Sequence, residues 1–158
     1  AEAKAGFPVV VDSRHQSLRF SGVTALTPSD EEVAGVLGRP LETDPDAMSA
    51  LADLVAATRV DTALITRGAR GVAVWSDGAP VLLPAVARES AVDTTGAGDS
   101  AAAAFAAALV AGASPLEAAR LANHAGALAV RRAGTVAVSR ADLFASFADE
   151  TASSRTVA

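Results

Sequence analysis

Asp93-Thr94-Thr95-Gly96-Ala97-Gly98-Asp99-Ser100 runs directly into the alanine-rich stretch 101–111. A loop of small residues thus opens into a segment of high helix propensity, read as a helix over 100–111 and stopped by Gly112. Upstream, the apolar residues 81–86 read as a strand, and 88–92 lead into the loop. Passage from strand through a tight loop to helix is the repeating unit of open α/β sheets. The start of a helix presents unpaired N–H groups and the positive end of a dipole, and glycines let a bulky anion approach that backbone. Two carboxylates, Asp93 and Asp99, sit where an anion cradle has no need of them. Amides that hold negative charge, beside an acid that accepts a proton from an attacking hydroxyl, suit phosphoryl transfer. The bland alternative is a tight turn whose Asp99 only complements the helix dipole.

Outward from that loop, strands alternate with helices. Residues 7–12 (FPVVVD) form a continuous apolar run ending in an acid, as in a strand buried on both faces, and 23–27 read as a second short strand. Between them, 13–22 is polar and loops. Thr27-Pro28 reads as a helix N-cap followed by proline at the first position, with Asp30, Glu31 and Glu32 in the first turn. Residues 44–58 are a helix with Pro45 near its start and a stripe of Met48, Leu51, Leu54 and Val55. Strands follow at 60–66 and 72–76, and Asp77-Gly78 marks the hairpin into 81–86. Ser114-Pro115-Leu116-Glu117 is a capping box opening a helix to about residue 132. Ser139 with Asp142 caps a last helix over 141–148, and 151–158 reads as a frayed, disordered tail. Residues 1–5 read as a last helical turn ended by Gly6. The expectation is an α/β layered domain over 1–150 with a mainly parallel sheet.

Two further loops bear on chemistry. Thr66-Arg67-Gly68-Ala69-Arg70-Gly71 follows a buried strand, and its hydroxyl and glycine amides suit a nucleotide phosphate. Alone, it reads rather as a plain turn between strands. Pro28-Ser29-Asp30-Glu31-Glu32 follows another strand; a carboxylate there can hold magnesium through water, or can simply start a helix. All three loops lie beyond the carboxyl ends of predicted strands, where open α/β sheets bind ligands.

Bulk properties narrow the classes. The chain has 158 residues, enough for one core, and about half are apolar. A net charge of −5, with Arg131-Arg132 the longest basic run, argues against nucleic acid. With no cysteine there is neither a disulfide nor a thiolate metal site, and His15 and His124 alone do not make a zinc centre. His124 reads as a packing or surface residue. No apolar run is long enough to span a membrane, and residues 1–6 lack a signal-peptide pattern, so a soluble, cytoplasmic protein is expected.

On these motifs the chain resembles the PfkB (ribokinase-like) carbohydrate kinases. Residues 93–100 look like that family's DTTGAGDS signature, Thr66–Gly71 like its T-x-G-x-x-G nucleotide loop, and Pro28–Glu32 like its N-x-x-E element. The stretches 20–28 and 134–139 look most like the heptose 7-phosphate kinase branch. The resemblance implies a three-layer α/β/α fold and ATP-dependent phosphorylation of a carbohydrate hydroxyl. Asp99 would be the catalytic base, and the amides of Gly96, Ala97 and Gly98 the anion hole. Thr66, Gly68 and Gly71 would contact ATP, Asn123 would line the adenine pocket, and Glu32, with Ser29, would place the magnesium–phosphate group. Asp93, Thr95 and Ser139 fall near the family's monovalent-cation loop, which implies potassium.

Departures from the pattern are informative. Ser29 stands where asparagine is usual and is shorter; Ala101 replaces a frequent phenylalanine. Nothing resembles the family's N-terminal half, which carries the first strands, the lid and most sugar contacts. The expectation is therefore the C-terminal, nucleotide-binding half of a sugar kinase. The rival readings are a nucleotide-binding module without catalysis, and a fragment that associates with itself or with a missing half through open strand edges.

Overall fold

A computed structural model describes residues 7–86, 92–131, 133–135 and 137–156. The expected helical turn at 1–5 with Gly6, most of the 88–92 lead-in, and the end of the tail at 157–158 lie outside the described residues.

Five strands form one sheet in the order of the chain: β1 (Val10–Val11), β2 (Ala25–Leu26), β3 (Thr62–Thr66), β4 (Val72–Ser76) and β5 (Ala79–Leu83). β1, β2 and β3 pair in parallel, whereas β4 pairs antiparallel with both β3 and β5. Four strands therefore point one way and β4 alone is reversed, a mixed but mainly parallel sheet. The β4–β5 turn is made by Asp77 and Gly78, both at positive φ (53° and 78°), as a tight hairpin requires.

Strand alternation sends side chains to two different layers. Leu26, Ala63, Ile65 and Ala73 face α1 (Asp30–Leu37) and α2 (Asp44–Thr58), where they meet Val33, Leu51 and Leu54. Ala25, Leu64, Val72 and Val74 face α3 (Ala97–Val110) and α4 (Pro115–Ala129), meeting Phe105 and a set of alanines. The result is a three-layer α/β/α fold. The alanines let α3 and α4 lie close together: a Cβ at Gly126 would stand 3.6 Å from the Ala97 carbonyl oxygen. α5 (Arg140–Thr156) packs on α4.

α2 and β4 coincide with the segments read from sequence. On α2, however, Met48 is exposed, and Ala47 and Ala50 fill the core in its place. α1 is capped by Ser29, not Thr27: Ser29 Oγ accepts the Glu32 amide at 3.2 Å, and Glu32 Oε2 accepts the Ser29 amide at 2.9 Å. A two-sided capping box outcompetes the Thr-Pro start because it satisfies two orphan amides at once. α3 begins at Ala97, three residues before Ser100, because Gly96 (φ 78°) supplies the left-handed cap. β5 is Ala79–Leu83, shifted from 81–86 because the two-residue turn sets the register. α5 continues to Thr156, through most of the stretch read as a frayed tail.

Candidate functional site

The loops after β1, β2 and β3 and the start of α3 converge on one side of the sheet. An isolated parallel bridge joins Ser29 to Thr66, and the Thr66 amide donates to the Pro28 carbonyl at 3.0 Å. Two of the three loops singled out in the sequence are thus tied to each other. A cleft of about 1570 Å³ runs over them, from the loop after β1 past Ser29, Thr66, Gly68 and Gly71 to Ala97, Gly98 and Asn123. At one end lies a smaller pocket of about 310 Å³, lined by Asp12, Thr27, Glu32, Thr66, Gly98 and Asp99 among others.

Each expected residue can now be placed. Asp99 stands in the first turn of α3, facing the small pocket. Of the three expected anion-hole amides, that of Ala97 is already used, donating to the Thr94 carbonyl at 3.2 Å. The amides of Gly96, Gly98 and Asp99 itself have no acceptor among the described residues. The open donors at this helix start are thus the amides of Gly96, Gly98 and Asp99.

The Thr66–Gly71 loop is a 3-10 turn (Gly68–Arg70) braced by its own arginines. Arg67 is buried and pairs with Asp44 at 2.6 Å; Arg70 reaches Asp30 at 2.6 Å and the Leu41 carbonyl at 3.0 Å. Gly71 (φ 85°) has no substitute, because a Cβ there would overlap the carbonyl oxygen of Leu83 and come within 2.6 Å of the Ala85 nitrogen. Asn123, nearly buried in α4, donates from Nδ2 to the Pro84 carbonyl at 2.7 Å and lines the cleft.

Asp93, Thr95 and Ser139 do not form a cluster of free ligands. Asp93 Oδ1 accepts the Thr95 amide and Oδ2 the Gly134 amide, both at 2.9 Å. These bonds, those from Thr95 first, hold its carboxyl below the usual carboxylate range. The Ser139 hydroxyl caps α5, donating to Asp142 Oδ2 at 2.8 Å and accepting the Asp142 amide at 3.1 Å. His124 is buried between α4 and α5, stacked on Phe147, with Nδ1 at 2.6 Å from Ser146 Oγ.

Asp12 and Thr27 were not singled out as site residues. Partial burial pushes the Asp12 carboxyl up, and the negative charges of Glu32 and Asp99 push it further. Asp12 therefore feels the charges of Glu32 and Asp99 across the small pocket. Thr27 is buried beside them, its hydroxyl without a partner among the described residues. Both lie at the carboxyl end of a parallel strand, and that position alone was the signal available in the sequence.

Comparison with known proteins gives the family. The profile of the "pfkB family carbohydrate kinase" family covers residues 3–142. The chain is 43% identical over 150 residues to the bifunctional protein HldE of Rhodospirillum rubrum, and 41% identical over 140 residues to that of Coxiella burnetii. These alignments take in 94% and 87% of the chain, but it spans only 30% and 29% of those proteins. Among solved structures, Arabidopsis thaliana ribokinase complexed with ribose and ATP superposes with a TM-score of 0.78 at 31% identity, over 90% of this chain and 48% of that one. Escherichia coli phosphofructokinase-2 in complex with potassium shares the fold, with a TM-score of 0.82 at 24% identity over 92% and 48%. A match over most of the chain, on a fold whose loops gather where the motifs predicted, means that this chain belongs to the pfkB family of carbohydrate kinases.

Proposed function

We propose that this chain carries the nucleotide site and the general base of an ATP-dependent carbohydrate kinase, with a heptose phosphate as the favoured class of acceptor. The observation that carries the reading is the small pocket, where Asp99, the unpaired amides of α3 and the Ser29–Glu32 loop face one another at the end of a cleft long enough for a nucleotide. The acceptor class rests on the similarity to HldE and on the stretches 20–28 and 134–139.

In this reading Asp99 takes the proton of the sugar hydroxyl as its oxygen bonds to the γ-phosphorus. The bond from that phosphorus to the bridging oxygen of the β-phosphate breaks, and ADP leaves. The amides of Gly98 and Asp99 hold the equatorial oxygens of the transferring group in place, which lowers the barrier without reorganisation. Asn123 and Gly71 flank the far part of the cleft, where the base would lie.

Magnesium fits the donor set. Asp12, Glu32 and Asp99 are hard oxygen donors, and the orphaned Thr27 hydroxyl faces them. No group of three or more metal-ligating side chains among the described residues is placed to hold an ion, so contact through water suits this pocket. When bound, the ion would neutralise charge on the phosphates. A potassium ion near Asp93 would have to rely on main-chain carbonyls, since Asp93 and Ser139 are spent on the protein itself.

The deciding experiment is Asp99→Asn, assayed with a panel of sugars and sugar phosphates and titrated with ATP by calorimetry. Turnover should fall by roughly 10²–10⁴-fold while ATP affinity holds. Wild-type rates in the variant would sink the assignment. ATP binding with no transfer to any acceptor, in variant and wild type alike, would favour a nucleotide-binding module without catalysis.

A further inference from the structure

Among the described residues, the small pocket is lined by three carboxylates and one cation. That cation is Arg14, on the loop after β1, which also lines the large cleft. It makes no hydrogen bond or ion pair among the described residues, although Asp12 lies close enough to feel its charge. Its loop has a fixed shape: the buried Ser17 hydroxyl donates to the Ser13 carbonyl at 2.9 Å, and the Arg19 amide donates to the Gln16 carbonyl at 2.8 Å. An exposed guanidinium that lines both cavities, its donors unspent among the described residues, matches an anion that spans both. The buried, unpartnered Thr27 hydroxyl in the same pocket is a second sign that a polar ligand completes it.

We propose that Arg14 is the cationic arm of the phosphate site: its guanidinium contacts the terminal phosphoryl group of the bound nucleotide from the β1 side of the pocket, while the Gly98 and Asp99 amides contact it from α3. The inference rests on the kinase reading above and adds a residue to it. Amides supply only partial charge, and Asp12, Glu32 and Asp99 repel a phosphate. A planar fork of N–H donors offsets that repulsion and meets two non-bridging oxygens at once, which the point charge of a lysine does not. The contact grows in value as negative charge gathers on the oxygens in the transition state.

The test is calorimetry on the intact protein with magnesium and β,γ-methylene-ATP, ADP or AMP, comparing wild type with Arg14→Ala and Arg14→Lys. Arg14→Ala should weaken the triphosphate analogue by about 10–100-fold, the range for a charged hydrogen bond. ADP should change less and AMP hardly at all, and Arg14→Lys should recover only part of the loss. Turnover in Arg14→Ala should fall further than saturation with ATP restores. Equal weakening of all three nucleotides, or of none, in a protein whose wild type binds them overturns the role of Arg14 and leaves the kinase reading standing. A wild type that binds no adenine nucleotide overturns both.

Discussion

The loops Thr66–Gly71 and Thr94–Asp99 are both rich in small residues and both border the cleft, yet they are built in opposite ways. The first is closed on itself: Arg67 and Arg70 tie it to Asp44, Asp30 and the Leu41 carbonyl, and the Arg67 amide donates to the Gly71 carbonyl at 2.8 Å. The second is left open: Asp93 straps its base, but the amides of Gly96, Gly98 and Asp99 have no acceptor among the described residues. The first loop is cross-braced to its neighbours although the Gly68 and Ala69 amides and Arg67 Nε have no acceptor among the described residues, whereas the second is held only at its base. The same glycine-rich composition is thus firmly braced in one place and lightly held in the other, and both leave amides open toward the cleft's border.

Substitution of one glycine in each loop separates the two designs most sharply. Gly71→Ala drives a Cβ into the backbone of residues 83–85, which cannot move without breaking the β4–β5 pairing. We expect it to cost about 3 kcal/mol or more of stability, read as a lower denaturation midpoint. Gly96→Ala meets only the Thr135 side chain, at 3.2 Å, so the main cost is the positive φ, about 1–2 kcal/mol. It should remain folded while losing nucleotide affinity through a tilted helix start. Equal losses of stability in the two variants would erase the distinction between the braced loop and the lightly held one.

The smallest effect concerns the Asp93 strap. Hydrogen bonding depresses the carboxyl of Asp93 in the folded state, so its contribution to stability is fully present above the ordinary carboxylate value of 3.8 and fades as pH falls below it. Asp93→Asn should lower the melting temperature at pH 7 and leave it little changed near pH 2. A deficit that persists undiminished at acid pH would show that the strap does not depend on the charge.

Much of this arrangement is legible in the residues. α2 announces itself through Pro45 and its apolar stripe, and α4 through the Ser114–Glu117 capping box with proline at the start; the structure adds a Thr43–Asp46 box to α2. The helix start at Ala97 was missed because only the left-handed turn at Gly96 fixes it, and composition does not reveal dihedral angles. Ser29, which stands where asparagine is usual, keeps a capping role because serine and asparagine both accept the third amide of a helix. Asp12, Arg14 and Thr27 belong to no short motif. They lie far along the chain from Asp99, and only the parallel pairing of β1 with β2 and β2 with β3 gathers them with Glu32 and Thr66.

The buried imidazole of His124 has a consequence for how the molecule breathes. Its neighbour Asn123 is tied to the Pro84 carbonyl on the sheet side of α4, while His124 grips Ser146 and Phe147 on the other side. α4 is thereby fastened in both directions, and α5 is fastened through α4. In hydrogen exchange, α5 should behave as its own opening unit, exposing its amides well before the sheet and α4 give up theirs. Release of α5 would bare His124 and leave the Asn123 bond to the sheet in place, a partial opening on the outer face of the helix that lines the cleft.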